Sequence, residues 1–149
     1  MSKIFVKEFA VGWGDLDGNA HMRNTAYLDA AATTRFSFFS DNGFSVARFH
    51  ELQLGPVVLK DEVRFFKEMR LLDKFNVGFL LDGMNADGSL FRLVNEVTRA
   101  DGVKSAVVTT QGAWFDLVKR KIMPPPPELL AVMKQLEKTA GYEEIKGKL

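Results

Sequence analysis

Gly12-Trp13-Gly14-Asp15-Leu16-Asp17-Gly18-Asn19-Ala20-His21-Met22-Arg23 runs straight into Asn24-Thr25-Ala26-Tyr27-Leu28, the opening of a long helical pattern. Glycines, acids and Asn at this density are turn chemistry, so the first twelve residues read as a loop that feeds a helix. Asn24 can cap that helix, which should run from about Thr25 to Asp41, and Asn42-Gly43 supplies a left-handed stop. Leu28, Ala31, Ala32, Arg35, Phe36 and Phe39 recur at helical spacing and predict one broad covered face. Ala30-Ala31-Ala32 lets a sheet approach closely. Phe36, Phe38 and Phe39 are expected to fill the far end.

What covers the helix lies on either side of it. Phe5 to Val11 alternates like a short strand. Past Pro56 the period becomes two: Val57, Leu59, Val63 and Phe65 alternate with Val58, Lys60, Glu62, Arg64 and Phe66. Phe75, Val77, Phe79 and Leu81 repeat the alternation, Asp87-Gly88 turns the chain into Ser89 to Arg99, and Asp101-Gly102 turns it again into Lys104 to Val118. The expectation is one strand, one helix of roughly 25 Å and an antiparallel meander of four strands. Such a sheet of about five strands can bury so long a helix only by wrapping it, which is an α+β layer. Pro124 to Pro127 reads as a stiff spacer, Glu128 to Lys138 as a short amphipathic helix, and Gly141 to Leu149 as frayed. The whole chain, 1–149, reads as one domain.

Composition excludes several classes. The 149 residues carry 20 Lys+Arg against 19 Asp+Glu, a net charge of +1, which lacks the basic surplus of a general nucleic-acid binder. There is no Cys, hence no disulfide, thiolate metal site or thiol nucleophile. No apolar run approaches the length of about 20 residues that crosses a bilayer, and the charged Met1 to Phe9 stretch does not fit a signal peptide. A cytoplasmic protein without membrane insertion is expected. The apolar surplus left once the helix covers one sheet face calls for a homodimer or homotetramer.

Asp15, Asp17, His21 and Asn24 crowd into the loop that meets the helix N-terminus. A helix start offers free N–H groups and a positive dipole end, suited to a carbonyl oxygen gaining negative charge, while a carboxylate beside it can attack or direct water. The same residues also suit plain turn and capping hydrogen bonds, and spacing by itself favours that reading. As a metal site, Asp15, Asp17 and His21 form an incomplete ligand set, and no metal is expected.

The stretch from Trp13 to Leu28 resembles the signature of hotdog-fold thioesterases of the 4-hydroxybenzoyl-CoA thioesterase type: an aromatic-x-Asp-x-Asp loop, a His, an Asn three further on, and a Tyr opening the helix. Thr34-Arg35 sits where that family often carries an Ala-Arg pair, and the likeness extends more loosely over residues 3 to 138. Ala20 stands where Gly is usual, and Arg23 where a first Asn is common. The resemblance implies a hotdog fold and hydrolysis of an acyl-CoA or related acyl thioester. Asp17 would be the catalytic carboxylate, as nucleophile or as base for water, with backbone N–H groups of Met22, Arg23 and Asn24 as the oxyanion hole. Asp15 and His21 would support the loop, and Trp13 and Tyr27 would wall the pocket. No cofactor is implied, the coenzyme A moiety being part of the substrate. Arg64, Lys67, Arg70, Arg92 and Arg99 are candidates for its phosphates, and Lys119, Arg120 and Lys121 for an acyl-carrier partner. A non-catalytic acyl-thioester-binding module and a hydroxyacyl-thioester dehydratase are the alternatives.

Overall fold

Alanine is the best helix former and the smallest side chain a sheet can approach, and the chain uses both properties in helix α1 (Asn24–Asp41). Around it, the computed structural model, which describes residues 3–147, sets strand β1 (Phe5–Ala10), a 3-10 turn (Trp13–Asp15), helix α2 (Val46–Leu52) and strands β2 (Leu54–Phe65), β3 (Lys74–Met84), β4 (Leu90–Arg99) and β5 (Lys104–Asp116). Strand β6 (Lys121–Ile122), helix α3 (Pro127–Lys134) and strand β7 (Lys138–Glu144) complete the order. The sheet runs β1-β3-β4-β5-β2 with antiparallel neighbours; β6 extends β5, and β7 joins β3 in parallel. This curled antiparallel sheet around one long helix is the expected α+β hotdog fold.

The core divides as the helix sequence does. At the N-terminal end Ala26, Ala30 and Ala31 let α1 sink onto Val77, Val97 and Val108, all buried. At the other end Phe38 and Phe39 enter an aromatic cluster with Phe44, Phe49, Phe79, Phe91 and Trp114, sealed from below by Leu129 and Met133 of α3. The covered face is rotated from the expected one. Tyr27, Thr34 and Phe38 are buried, whereas Phe36 is 37% exposed and Leu28 and Arg35 are half-buried.

Other boundaries differ for identifiable reasons. Arg23, not Asn24, is the N-cap residue, and it makes no side-chain cap bond. Helix α2 has no counterpart in the sequence reading: it is seven residues long, capped by the Ser45 hydroxyl accepting from the Arg48 N–H and stopped by Gln53 in the left-handed region at φ 55°. The tail helix ends at Lys134 rather than Lys138, and the segment expected to fray instead pairs with β3 as β7. Ile145 is buried behind it, and Lys148 and Leu149, the last of the residues expected to fray, lie outside the described residues. The β7 contact has a fixed geometry at Gly83, where a Cβ would lie 2.7 Å from the Glu143 carbonyl oxygen and 2.8 Å from an Arg92 guanidinium nitrogen. Arg92 there clamps Asp82 through Nε at 2.6 Å, and the Thr139 hydroxyl donates to the other Asp82 oxygen at 2.5 Å.

Under the middle of α1 runs a line of polar side chains. Arg35 donates to Asn95 Oδ1 at 2.9 Å and lies 3.4 Å from Thr110 Oγ1, and the Thr110 hydroxyl donates to Asp61 on β2 at 2.5 Å. Burial pulls the Arg35 guanidinium below its usual range, and the Asp61 charge opposes that pull. The guanidinium therefore holds β4, β5 and β2 to the helix, with its charge answered by Asp61.

Candidate active site

The loop before α1 folds on its own carboxylates. Asp15 Oδ2 accepts from the Gly12 N–H at 2.9 Å and so closes the 3-10 turn. Asp17 Oδ1 accepts from the N–H groups of Asn19 at 2.8 Å and His21 at 3.1 Å. The backbone closes the same turn, Asp17 N–H donating to the His21 carbonyl at 2.8 Å. These bonds leave Asp17 Oδ2 without a partner among the described residues. The His21 and Asn19 N–H groups hold the Asp17 carboxyl below its usual range, with the nearby imidazole adding to the effect.

A second segment is laced to this loop. Met22 N–H donates to the Met69 carbonyl at 2.8 Å, and His21 pairs with Arg70 as an isolated bridge. The pocket between them, about 300 Å³, is lined by Asp17, His21, Asn24 and Tyr27 on one side and by Phe65 to Glu68 on the other. Tyr27 is buried and meets the Phe65 ring edge-on at 5.3 Å between centroids. Ser105 gives its one hydroxyl proton to the Lys67 carbonyl at 2.7 Å, so at 3.1 Å the Tyr27 hydroxyl is the donor to Ser105. Burial pushes the Tyr27 phenol up, the Ser105 bond opposes it, and the Glu68 and Asp17 carboxylates add to the push. Tyr27 is thus a neutral, fixed pocket wall.

The helix start supplies donors, though not all of those expected. The Met22 N–H is spent on Met69 and the Arg23 N–H on the Asp15 carbonyl at 2.7 Å. The two that remain without an acceptor among the described residues belong to Asn24 and to Thr25, the latter missed from sequence. The signal was the helix boundary: with Arg23 as the cap, Asn24 and Thr25 are the first two helical residues, whose N–H groups a helix cannot satisfy internally. Arg23 itself folds back, donating to the Gly14 carbonyl and, at 2.9 Å, to Thr25 Oγ1, with Asp29 of the helix 3.9 Å from its guanidinium, so its charge is held between the loop and the first turn.

Several candidates stand elsewhere. Trp13 is 80% exposed and is not among the residues lining the Asp17 pocket. Arg92 is the Asp82 clamp of the sheet, and Arg99 is committed to Asp101 at 2.7 Å and to the Glu68 carbonyl. Arg70 lies 3.9 Å from the Glu68 carboxylate. Lys67 lines the pocket, and Arg64 lies over the Phe66 ring, 5.5 Å from its centroid. Among the described residues no three His, Asp or Glu side chains are grouped to hold a metal ion, and no helix is long and apolar enough to cross a membrane.

The profile of the Thioesterase-like superfamily matches residues 11–133, from the residue that follows β1 into α3. The chain belongs to that superfamily. No curated protein matches by sequence. Similar solved structures include a hypothetical protein from Staphylococcus aureus in complex with CoA, with a TM-score of 0.82 and 18% identity over 93% of this chain and 89% of that one. A 1,4-dihydroxy-2-naphthoyl-CoA thioesterase from Synechocystis gives 0.80 and 19% over 89% and 97%. A DHNA-CoA thioesterase from Staphylococcus aureus gives 0.80 and 14% over 89% of each chain. At these identities the likeness is one of fold.

Proposed function

We propose that this member of the Thioesterase-like superfamily hydrolyses an acyl-CoA to free acid and coenzyme A, with Asp17 as the essential carboxylate. The observation that carries the reading is a pairing within one pocket. Asp17 has its Oδ1 pinned by two N–H groups and its Oδ2 open, and it shares the pocket with Asn24, at a helix start whose Asn24 and Thr25 N–H groups have no acceptor among the described residues. A thioester carbonyl placed between them has its oxygen polarised by the two donors. Its carbon is open to Asp17 Oδ2, or to a water that Oδ2 deprotonates. The C–S bond then breaks, the electron pair leaves on sulfur, and the thiolate takes up a proton. Each oxyanion donor of this kind is worth about 3 to 4 kcal/mol of barrier. Asp17 as nucleophile would pass through a mixed anhydride that water cleaves; as base it would not. No cofactor enters either route, the CoA moiety arriving as substrate. The finer resemblance to the 4-hydroxybenzoyl-CoA type, together with the naphthoyl-CoA thioesterase among the structural neighbours, favours an aromatic acyl group against Tyr27 and Phe65.

Thiol release from a panel of aromatic and aliphatic acyl-CoA esters tests the reading. The chain has no cysteine, so every thiol detected comes from substrate. Steady release from at least one ester is expected, and none from any ester overturns the proposal.

The expected self-association has a specific seat. Among the described residues strand β2 pairs only with β5, so its other edge is open along 12 residues, and Val58, Leu59 and Phe65 on it are 54%, 51% and 54% exposed. An exposed edge of this length is a ready template for pairing with another chain. A second copy laid antiparallel about Asp61 sets Lys60 against Glu62 and Leu59 against Val63, while each Asp61 is held by Thr110 and faced by its own Arg35. We therefore propose a homodimer through β2, alone or as half of a tetramer. Sedimentation equilibrium should give twice or four times the 16.7 kDa of the chain, and a monomer at micromolar concentration overturns it.

A further inference from the structure

The pocket around Asp17 has two walls that come from distant parts of the chain. One is the start of α1, where Asn24 and Tyr27 stand three residues apart and so share a face, with Tyr27 roughly 4.5 Å deeper along the helix axis. The other is the segment from Phe65 to Glu68 at the end of β2. The spacing and tilt of these walls decide which acyl shapes fit between them.

Two ties hold the walls together. The first is backbone, the Met22 N–H donating to the Met69 carbonyl at 2.8 Å. The second runs through one side chain. Ser105, on β5, is fully buried; its hydroxyl accepts from the Tyr27 hydroxyl at 3.1 Å and donates to the Lys67 carbonyl at 2.7 Å. Its backbone carbonyl accepts from the N–H groups of Phe66 at 2.8 Å and Lys67 at 3.2 Å. Ser105 Oγ is the one side-chain atom bonded to both walls among the described residues. A buried hydroxyl is costly unless it is paired, and a serine has a single proton to give. Here the proton serves one wall and a lone pair the other.

The consequence falls on the Tyr27 ring. Held at Cα by the helix and at its hydroxyl by Ser105, the ring cannot swing. It meets Phe65 at an interplanar angle of 83°, with 5.3 Å between centroids. Phe65 lines the pocket and is 54% exposed, so this aromatic corner has a face left for a third ring. Aromatic contacts depend on angle and distance, and each is worth about two- to tenfold in affinity beyond the area it buries. A linear chain gains from buried area alone, which makes no such demand on the corner.

We propose that Ser105 is a positioning residue that gives the pocket its preference for aromatic acyl groups, by fixing Tyr27 against Phe65 and tying both to the strand wall. The proposal rests on the hydrolase reading for the place of the thioester. It assigns selectivity to a residue 78 positions from the helix side chain it holds.

S105A and Y27F each cut the tie from one side without removing a ring, and both leave Asp17 and the helix-start N–H groups in place. With benzoyl-CoA each variant should raise KM about tenfold and keep kcat within about twofold of wild type. With hexanoyl-CoA, KM should stay within about twofold, since area burial is unchanged. The S105A/Y27F double variant should raise the benzoyl-CoA KM no further than S105A does, because the tie is already cut. A serine that only satisfies buried groups would move both esters alike, or neither. Either pattern overturns the proposal, as does a double variant whose losses add. Calorimetry with D17N and D17N/S105A proteins reads the same comparison as Kd, without turnover. If wild-type protein releases no thiol from any ester, the hydrolase reading falls, but a Kd weakened for benzoyl-CoA alone still upholds the role of Ser105. Equal changes for the two esters, or no binding of benzoyl-CoA, overturn it.

Discussion

Asp17→Asn should leave a folded protein that has lost about 10²- to 10⁴-fold or more of its thiol release, the range expected when a positioned carboxylate no longer attacks or takes a proton. Asn keeps an oxygen where Oδ1 accepts from the Asn19 and His21 N–H groups, so the loop retains its bonds. What it removes is the charge and basicity of Oδ2. Asp17 is exposed, and a surface substitution that preserves its hydrogen bonds should leave the fold close to wild type in stability. Loss of rate with an unchanged melting curve is the expected pair of results; turnover within a few-fold of wild type removes Asp17 from the mechanism. The same carboxylate sets an acid limit. Its value in the folded protein lies below the ordinary one of about 3.9, because His21 and Asn19 donate to the charged form. The reactive form therefore persists as the pH falls past 4, and kcat/KM should decline only below that point. The stability linked to Asp17 has the same sign: present above the unfolded value, it is lost as the pH falls through the folded one.

Local chemistry was legible in the sequence, and pairing between distant segments was not. The Trp13 to Tyr27 stretch reads correctly as a loop into a helix because its turn residues bond within a few positions, as Gly12 with Asp15 and Asn19 with Asp17 do. The meander was legible because period-two alternation and the Asp-Gly turns are equally local. The fate of the Met22 N–H depends on Met69, 47 positions away, and the engagement of Arg92 depends on Asp82 across a sheet bulge. No spacing rule in a single sequence reports such partners. Strand β7 hid for a related reason: Lys138 to Glu144 is polar and mostly exposed, so its period carries no signal, and only the open flank of β3 at Leu81 to Met84 gives it a place. Trp13 misled in the opposite sense. A tryptophan beside the signature suggests a pocket wall, but the 3-10 turn that Asp15 stabilises points it outward.

The largest loss of stability should come from Trp114→Ala, at the end of α1 remote from Asp17. Trp114 is fully buried on β5, stacked on Phe49 at 5.8 Å and meeting Phe39 edge-on at 5.6 Å and Phe91 at 5.4 Å. Removing it opens a cavity among rings that are themselves held by α1, α2 and β4, so collapse onto the space is restricted. The expected cost is about 3 to 5 kcal/mol. For a chain of this length that lowers Tm by roughly 6 to 20 °C, at about 2 to 4 °C per kcal/mol. Trp114→Phe separates packing from polarity. The indole Nε1 is buried without a hydrogen-bond partner among the described residues, so replacing Trp by Phe loses volume but also removes an unpaired donor that costs about 1 to 3 kcal/mol to bury. The Phe variant should therefore sit much closer to wild type than the Ala variant in a denaturant melt. Equal losses would mean that the indole nitrogen makes a hydrogen bond in solution that Phe cannot replace. Since the Trp114 cluster and the Asp17 loop share no side chain, folded Trp114→Phe protein should keep its KM for an acyl-CoA, and a raised KM would show that the aromatic end of α1 is coupled to the helix start that holds the thioester.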